Sequence, residues 1–385
     1  MARSPITHVE TSSQGLIALV YDSNFNIANR HVLVTKTFPL YGSGTLVAST
    51  SSEQNDVVRI EEPGKEPIVA IAFSQDGSMF AACTNEKNVA IYDTDSWSTK
   101  RTLCIVKRAT ALAFDLEGTH LLVADKFGEV YRVSISDTDS KPELLLGHVS
   151  IVCDVKVSFT TPSRVLTCDR DEKLRVSKYP NSYNIQSFGL GHKEFVTSIA
   201  TARFAPTCAV TGSGDGTIRL WEIESGQLLQ TVQLKQFLQK YYQDGRARCG
   251  VDSFEDRNAS TERYGVLRVR AVESMQAFVA VVERIPAVMV LPYKNSLRDI
   301  YTVDIERVPT DIAVAGSQAV VSLVPGEDSA SNDLVVALEL AENGTGVKDL
   351  TASLNAIPTQ QVEQATPIPS IYIWGNKMYM EHPKD

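Results

Sequence analysis

The sequence is most informative first in what it lacks. It has no apolar run of about eighteen residues, the minimum for a membrane-spanning helix, and its first fourteen residues contain no apolar core of the kind a secretory leader needs. Neither membrane association nor secretion is therefore expected. Its six cysteines (Cys83, Cys104, Cys153, Cys168, Cys208 and Cys249) form no C-x-x-C pair and lie far apart. That spacing excludes a zinc cluster and argues against a disulfide framework, so a reducing intracellular compartment is expected. Basic residues are not in excess. The formal net charge is −9, and an acidic chain cannot hold nucleic acid by bulk charge, because phosphate affinity comes mainly from Lys and Arg releasing counterions. Walker, H-E-x-x-H and G-x-S-x-G motifs are absent. The six histidines (8, 31, 120, 148, 192 and 382) have no metal-ligand spacing to one another or to a cysteine. The sequence thus assigns no catalytic residue, no cofactor and no metal.

What is present is a repeat. Thr211-Gly-Ser-Gly-Asp215-Gly216-Thr217-Ile218-Arg219-Leu220-Trp221 is its clearest copy. Thr167 to Ser177, Ala124 to Tyr131 and Thr84 to Tyr92 align with it on the apolar residue after the turn: Ile218, Leu174, Val130 and Val89. These anchors recur every 41 to 44 residues, the period of one four-stranded WD-type blade. Each unit reads strand, turn, strand, turn, strand. In the second blade Val69 to Phe73 and Met79 to Cys83 are apolar, and Gln75-Asp76-Gly77 and Glu86 to Asn88 are turns. Asp-Gly pairs supply the positive φ that tight hairpins need. Leu16 to Ile60 reads as a degenerate first blade, Tyr264 to Asp304 as a sixth, and Val308 to Leu340 as a seventh. The fold class is all-β, a seven-bladed WD-repeat β-propeller over residues 1–345, with its best-defined blades within 66–230. A closed ring removes exposed sheet edges, and a segment near the N-terminus is expected to complete the last blade. Residues 235–263 form a charged insertion, with Val232 to Tyr242 capable of a short helix. Residues 346–385 are a polar tail in which Ile371 to Trp374 is a candidate for docking.

Gly147-His148 and Gly191-His192 each precede their turn and strand, as the Gly-His of this repeat does. His148, His192, Asp215 and Trp221 are read as structural residues that pin their blades. Gly212 to Gly216 resembles a glycine-rich cofactor loop, but it runs into a strand where a dinucleotide fingerprint would open a helix.

Four stretches narrow the reading beyond fold. Leu122 to Tyr131, Val165 to Ser177, Gly191 to Ile199 and Gly212 to Trp221 together resemble the non-catalytic subunit family of the eukaryotic tRNA (guanine-N7)-methyltransferase. The string Asp169-Arg170-Asp171-Glu172-Lys173 departs from the Asp-Gly-Thr of the generic repeat. The resemblance runs from about Glu66 to Gln230. It implies a scaffold, not an enzyme, that carries no cofactor and binds a separate S-adenosylmethionine-dependent catalytic subunit from its side. It also implies a role in forming 7-methylguanosine in the tRNA variable loop, and a nuclear location with a cytoplasmic pool. The family's charged C-terminal helix is not evident in this chain.

The residues themselves suggest where such a partner docks. Arg170 offers a planar fork for carboxylates, and Lys193 and Glu194 follow His192 in the next blade. Arg170, Lys173 and Lys193 are expected to meet acidic residues of the catalytic subunit, oriented by Asp171 and Glu172, with Glu194 beside Lys193 on the same rim. The competing reading of those charges is a solvated rim with Asp171 capping its turn. Two other functions stay open: a generic WD-repeat adaptor such as a ubiquitin-ligase substrate receptor, and an RNA-binding protein whose 235–263 insertion grazes tRNA.

Overall fold

The computed structural model describes residues 6–21, 24–28, 67–247, 262–324 and 335–340, together with the backbone of short strands at 2–3, 33–37, 57–58 and 361–362. Among these residues, seven sheets follow one another along the chain. Blade 1 holds His8–Thr11, Ile17–Tyr21, Asn24–Ala28, Leu33–Thr37 and the short Val57–Val58. Blades 2 to 6 each have four antiparallel strands. Their inner strands are Ile68–Phe73, Ala109–Phe114, Val152–Val157, Val196–Ala202 and Val266–Val272. Blade 7 has three strands, Pro309–Ala315, Gln318–Leu323 and Val335–Glu339. Each inner strand packs against that of the next blade, and Pro309–Ala315 packs against His8–Thr11, so the ring is closed.

Burial explains the sequence pattern. Strands in the middle of a blade are covered on both faces by neighbouring blades. Met79–Thr84, Arg164–Asp169 and Ala277–Val282 are buried at every position, which is why Met79–Cys83 and Ala277–Val282 read as continuous apolar runs instead of alternating ones. The core lies between blades: Cys83, Val89 and Ile91 of blade 2 share one cluster with Leu112, Leu121 and Val123 of blade 3. Outer strands such as Thr99–Cys104 are largely polar and exposed.

Blades are also stitched together. In blades 2 to 7 the pairing of the inner strand slips between its first and third residues, a bulge that re-aims the side chain between them. In blades 3, 5 and 7 that residue is a threonine whose hydroxyl donates to the backbone of the following blade, in its inner strand for Thr110 and Thr197 and just ahead of it for Thr310. Thr110 reaches the Val152 carbonyl at 2.6 Å, Thr197 that of Val266 at 2.7 Å, and Thr310 that of Ile6 at 3.1 Å. The residue after the bulge is an aspartate in blades 4 and 7. Asp154 accepts the Ile199 N–H at 2.9 Å, and Asp311 accepts the Val9 N–H at 3.1 Å and Arg268 Nε at 2.9 Å. Burial acts to raise the Asp311 carboxyl, but the charges of Arg268 and Arg270 outweigh it and leave the group below its usual range.

Two expectations change. Blade 1 begins at His8–Thr11, ahead of Leu16, and this N-terminal strand is the blade's own inner strand. No N-terminal strand adds to blade 7 among the described residues; Ala2–Arg3 pairs instead with Gln361–Val362, within the stretch read as a polar tail. His8–Thr11 escapes a hydrophobicity search because His8 and Glu10 face a charged channel, where Glu10 pairs with Arg270 at 3.0 Å. Ile371 to Trp374 lies outside the described residues.

Asp311 bridges blades 1, 6 and 7. Asp311→Ala leaves the buried Val9 N–H without its acceptor and the half-buried Arg268 without its partner, so unfolding free energy should fall by about 1–3 kcal/mol. A urea titration tests this; an unchanged midpoint would remove Asp311 from the closure.

Candidate functional site

In blade 5 a chain of hydrogen bonds ties the incoming linker to the blade. Trp221 Nε1–H donates to Thr211 Oγ1 at 2.7 Å, and Thr211 Oγ1 lies 2.7 Å from His192 Nε2. The Asp215 carboxylate can only accept, so the neutral ring carries its proton on Nδ1 and its Nε2 accepts the Thr211 hydroxyl proton. The Nδ1 proton donates to Asp215 Oδ2 at 2.9 Å. His192 is buried, and burial lowers its pKa against the opposing pull of Asp215, which fits a neutral ring. Asp215 also accepts the Thr217 and Lys193 N–H groups, each at 3.0 Å. Burial would raise its carboxyl, but hydrogen bonds led by that from His192 hold it well below the usual range. The Gly212 to Gly216 stretch is the hairpin turn between Ala205–Ser213 and Thr217–Glu222, as a WD blade requires.

Blade 4 repeats the arrangement with one shift. His148 Nε2 lies 2.6 Å from Thr167 Oγ1, but its Nδ1 meets Asp169 Oδ2, at 2.9 Å. By alignment with Asp215 the partner should be Asp171. Because Asp169 holds the histidine, Asp171 is released to the surface turn, where it accepts the Ser150 hydroxyl at 2.7 Å and lies 3.5 Å from Arg170 Nε. Ser177 stands where blade 5 has Trp221 and accepts Arg175 Nε–H at 2.9 Å, while Arg175 Nη1 donates to the Gly147 carbonyl at 2.7 Å.

The predicted charges do share one rim. Glu172, Lys193 and Glu194 are exposed, and Arg170, Asp171 and Lys173 are half-buried. Lys173 folds back, its Nζ donating to the Asp171 carbonyl at 3.1 Å. Burial raises the Glu194 carboxyl, and the charges of Asp215 and Glu172 add to that against Arg263, which places the blade 4 turn beside the blade 5 linker. Glu172 has φ +74°, the left-handed conformation of Gly216 at +73° and of Lys87 at +72°. The strain thus belongs to this turn position in the repeat, and is not special to the rim.

A family model described as the tRNA methyltransferase TRM82 WD40 domain matches residues 41–143 and 134–343. The chain belongs to this family. Among named members, the zebrafish (Danio rerio) tRNA (guanine-N(7)-)-methyltransferase non-catalytic subunit wdr4 is 40% identical over 178 residues, 46% of this chain and 43% of that one. The mouse (Mus musculus) WDR4 protein is 39% identical over 186 residues, 48% and 45% of the two chains. The chain therefore spans about half the length of these relatives. The solved WD40 repeats of RRP9 share the fold, with a TM-score of 0.61 at 15% identity, over 84% of this chain and 92% of that one.

One feature of this TRM82-type propeller escaped the sequence reading. On the blade 3 turn next to the rim, Phe127 is 52% exposed, with Lys107 Nζ 4.1 Å and Lys126 Nζ 5.5 Å from its ring centroid, a cation–π arrangement. An aromatic residue in the slot that Asp215 fills in blade 5 was the available signal. The insertion contributes a helix, Lys235–Gln243, buried through Leu238 and Tyr241. Its described cations are engaged within the chain: Lys235 with Glu262 at 3.3 Å, Lys240 with Thr302 at 3.1 Å and Arg246 with Asp304 at 2.8 Å. Arg248 and Arg257 lie outside the described residues.

Two predictions follow from this geometry. Relieving the left-handed glutamate with Glu172→Gly should raise stability by about 0.5–1 kcal/mol; a loss of that size in a thermal melt would contradict it. The second concerns pH. The folded pKa of His192 lies below the unfolded value of about 6.5, so the unfolded chain takes up the proton first and stability falls as pH drops below about 6.5. His8 acts in the same direction, held at about 4 by burial, with Asp311 opposing and Arg268 and Arg270 assisting. Asp215 adds its loss only below about pH 4. Unfolding free energy should decline from pH 7 to 5, and His192→Asn should flatten that slope. A flat wild-type profile would be the contrary result.

Proposed function

We propose that this chain is the non-catalytic scaffold subunit of a tRNA (guanine-N7)-methyltransferase. It binds the catalytic, S-adenosylmethionine-dependent subunit as a heterodimer and stabilises its active conformation, and is required for 7-methylguanosine in the tRNA variable loop. The propeller touches tRNA indirectly or through minor contacts, and it works in the nucleus with a cytoplasmic pool. A rigid body that binds only one conformation of a partner raises the population of that conformation by its differential affinity, which needs no catalytic group on the scaffold.

The observation that carries this reading is the blade 4 turn. Its histidine is satisfied by Asp169, so Arg170, Asp171, Glu172 and Lys173 are not engaged by the histidine and stand on the surface turn, where Asp171 accepts the Ser150 hydroxyl and Lys173 caps the turn. Arg170 is only 15% exposed and half-oriented by Asp171, so a carboxylate arriving there meets a pre-positioned, partly desolvated guanidinium. Lys193 projects from the neighbouring linker, whose backbone N–H is fixed by Asp215. The exposed Phe127 with its two lysines extends the same basic arc toward blade 3. The rim carries three cations and three carboxylates, and its cations, with Lys107 and Lys126 beside Phe127, suit carboxylates of a protein partner.

A methyl-transfer assay on tRNA, with the cognate catalytic subunit in the presence and absence of this chain, tests the reading. Activity should depend on the chain, and the chain alone should be inert; two proteins that neither bind nor affect one another would overturn it. Arg170→Glu and Lys193→Glu should each weaken the complex by about 2–5 kcal/mol while the propeller stays folded. Unchanged affinity in both would remove the rim from the interface.

A further inference from the structure

Toward the C-terminal ends of the inner strands the central channel contains a cavity of about 250 Å³, to which all seven blades contribute. The strands themselves account for it. Three places after the bulge residue, blades 4 and 6 carry Lys156 and Arg270, and blades 2, 3 and 5 carry Ala72, Ala113 and Ala200; all five line the cavity. Blade 1 follows the same rule. Its Val9 N–H is accepted by Asp311 as the Ile199 N–H is by Asp154, which sets Glu10 level with Ala200. Alanine at three of these positions, and at Ala313 in blade 7, leaves space that larger side chains would fill.

Donors outnumber acceptors in this space. Both of its carboxylates are engaged: Glu10 pairs with Arg270 Nη2 at 3.0 Å, and Glu273 accepts the Arg203 N–H at 2.9 Å. Two donors are not. Arg270 Nε is buried with no acceptor among the described residues. Lys156 Nζ makes no hydrogen bond among them either. Asp154 Oδ1 lies 3.7 Å from that ammonium, but it already accepts the Val155 N–H at 2.9 Å, and Oδ2 accepts that of Ile199. Two residues earlier on their strands, Arg268 and Asp311 satisfy each other. No carboxylate of the channel is therefore left over for Lys156. Buried donors in folded proteins are almost always met, so the missing acceptor is expected from outside the chain. Around these groups the walls are apolar, with Phe73, Phe114 and Val157. Beside Phe159 the exposed Arg203 adds a third cation, 5.4 Å from the ring centroid. A concave, mostly apolar space with a few placed charges is the usual form of a small-molecule site.

We propose that this cavity binds a small organic anion, its carboxylate or phosphate head set between Lys156 and Arg270 and its apolar body against Phe73 and Phe114. The head supplies the acceptors that the chain withholds, in charge-assisted bonds to an ammonium and a guanidinium. The site lies in the channel and uses none of the rim residues, so it is independent of the catalytic subunit. Because Lys156 and Arg270 belong to blades 4 and 6, an occupied site links two blades that are not neighbours, and ligand binding stabilises the closed ring.

Thermal melts and calorimetric titrations of the full chain with benzoate and with phenyl phosphate, each compared with chloride at equal ionic strength, test this. A saturable rise in melting temperature is expected with at least one of them, and the tighter of the two identifies the head group. Lys156→Ala should raise its Kd about tenfold or more. Ala200→Leu keeps both cations and fills the space, and should abolish binding; Ala113→Leu serves the same purpose should that variant fold poorly. No saturable effect of either anion on the unaltered chain would overturn the site. So would a rise that persists unchanged in Lys156→Ala and Ala200→Leu, the mark of an adventitious ion only.

Discussion

Everything in this molecule depends on the joint between one inner strand and the next. A propeller blade is a small sheet with too little core to stand alone, and it is stable only when both its faces are covered by neighbours. Apolar packing supplies the attraction, but it is non-directional and does not by itself fix the angle between sheets. The directional element comes from the bulge near the start of the inner strands. It turns Thr110, Thr197 and Thr310 toward the next blade's backbone and places Asp154 and Asp311 to accept its N–H groups. Each such bond contributes about 1 kcal/mol. In a closed ring each joint constrains all the others, because the seven inter-blade angles must together complete one circle.

The same device is used one layer further out. The relay from Trp221 through Thr211 and His192 to Asp215 spans the second and third strands of blade 5 and the linker arriving from blade 4. It is a local bond network with a long reach, since the linker carries Leu190 on one side of His192 and Lys193 on the other. Residues without contact to a partner can therefore control how that partner is met, by holding the contacting residues in place.

Where the sequence was legible, turn chemistry made it so. Blades 2 to 5 declared themselves through turn residues and an apolar anchor at constant spacing, because a tight hairpin accepts few residue types. Blades 6 and 7 declared themselves through buried runs such as Ala277–Val282. The first blade's inner strand did not, because His8 and Glu10 answer to charges in the channel and not to a core. The exchange of Asp171 for Asp169 was equally hidden: two aspartates two residues apart both satisfy the pattern, and only side-chain direction decides which reaches His148. The rim charges were found because Arg170, Glu172 and Lys173 break the generic turn.

The exchange between Asp169 and Asp171 separates two duties that one residue performs in blade 5. Asp215 serves both the histidine and its own turn, so altering it disturbs the blade. In blade 4 the histidine is served from the end of the strand, and the aspartate of the turn beyond is engaged by the Ser150 hydroxyl instead. The blade 4 turn is thus held by bonds of its own, through Ser150 and Lys173, and a change there need not reach the histidine beneath it.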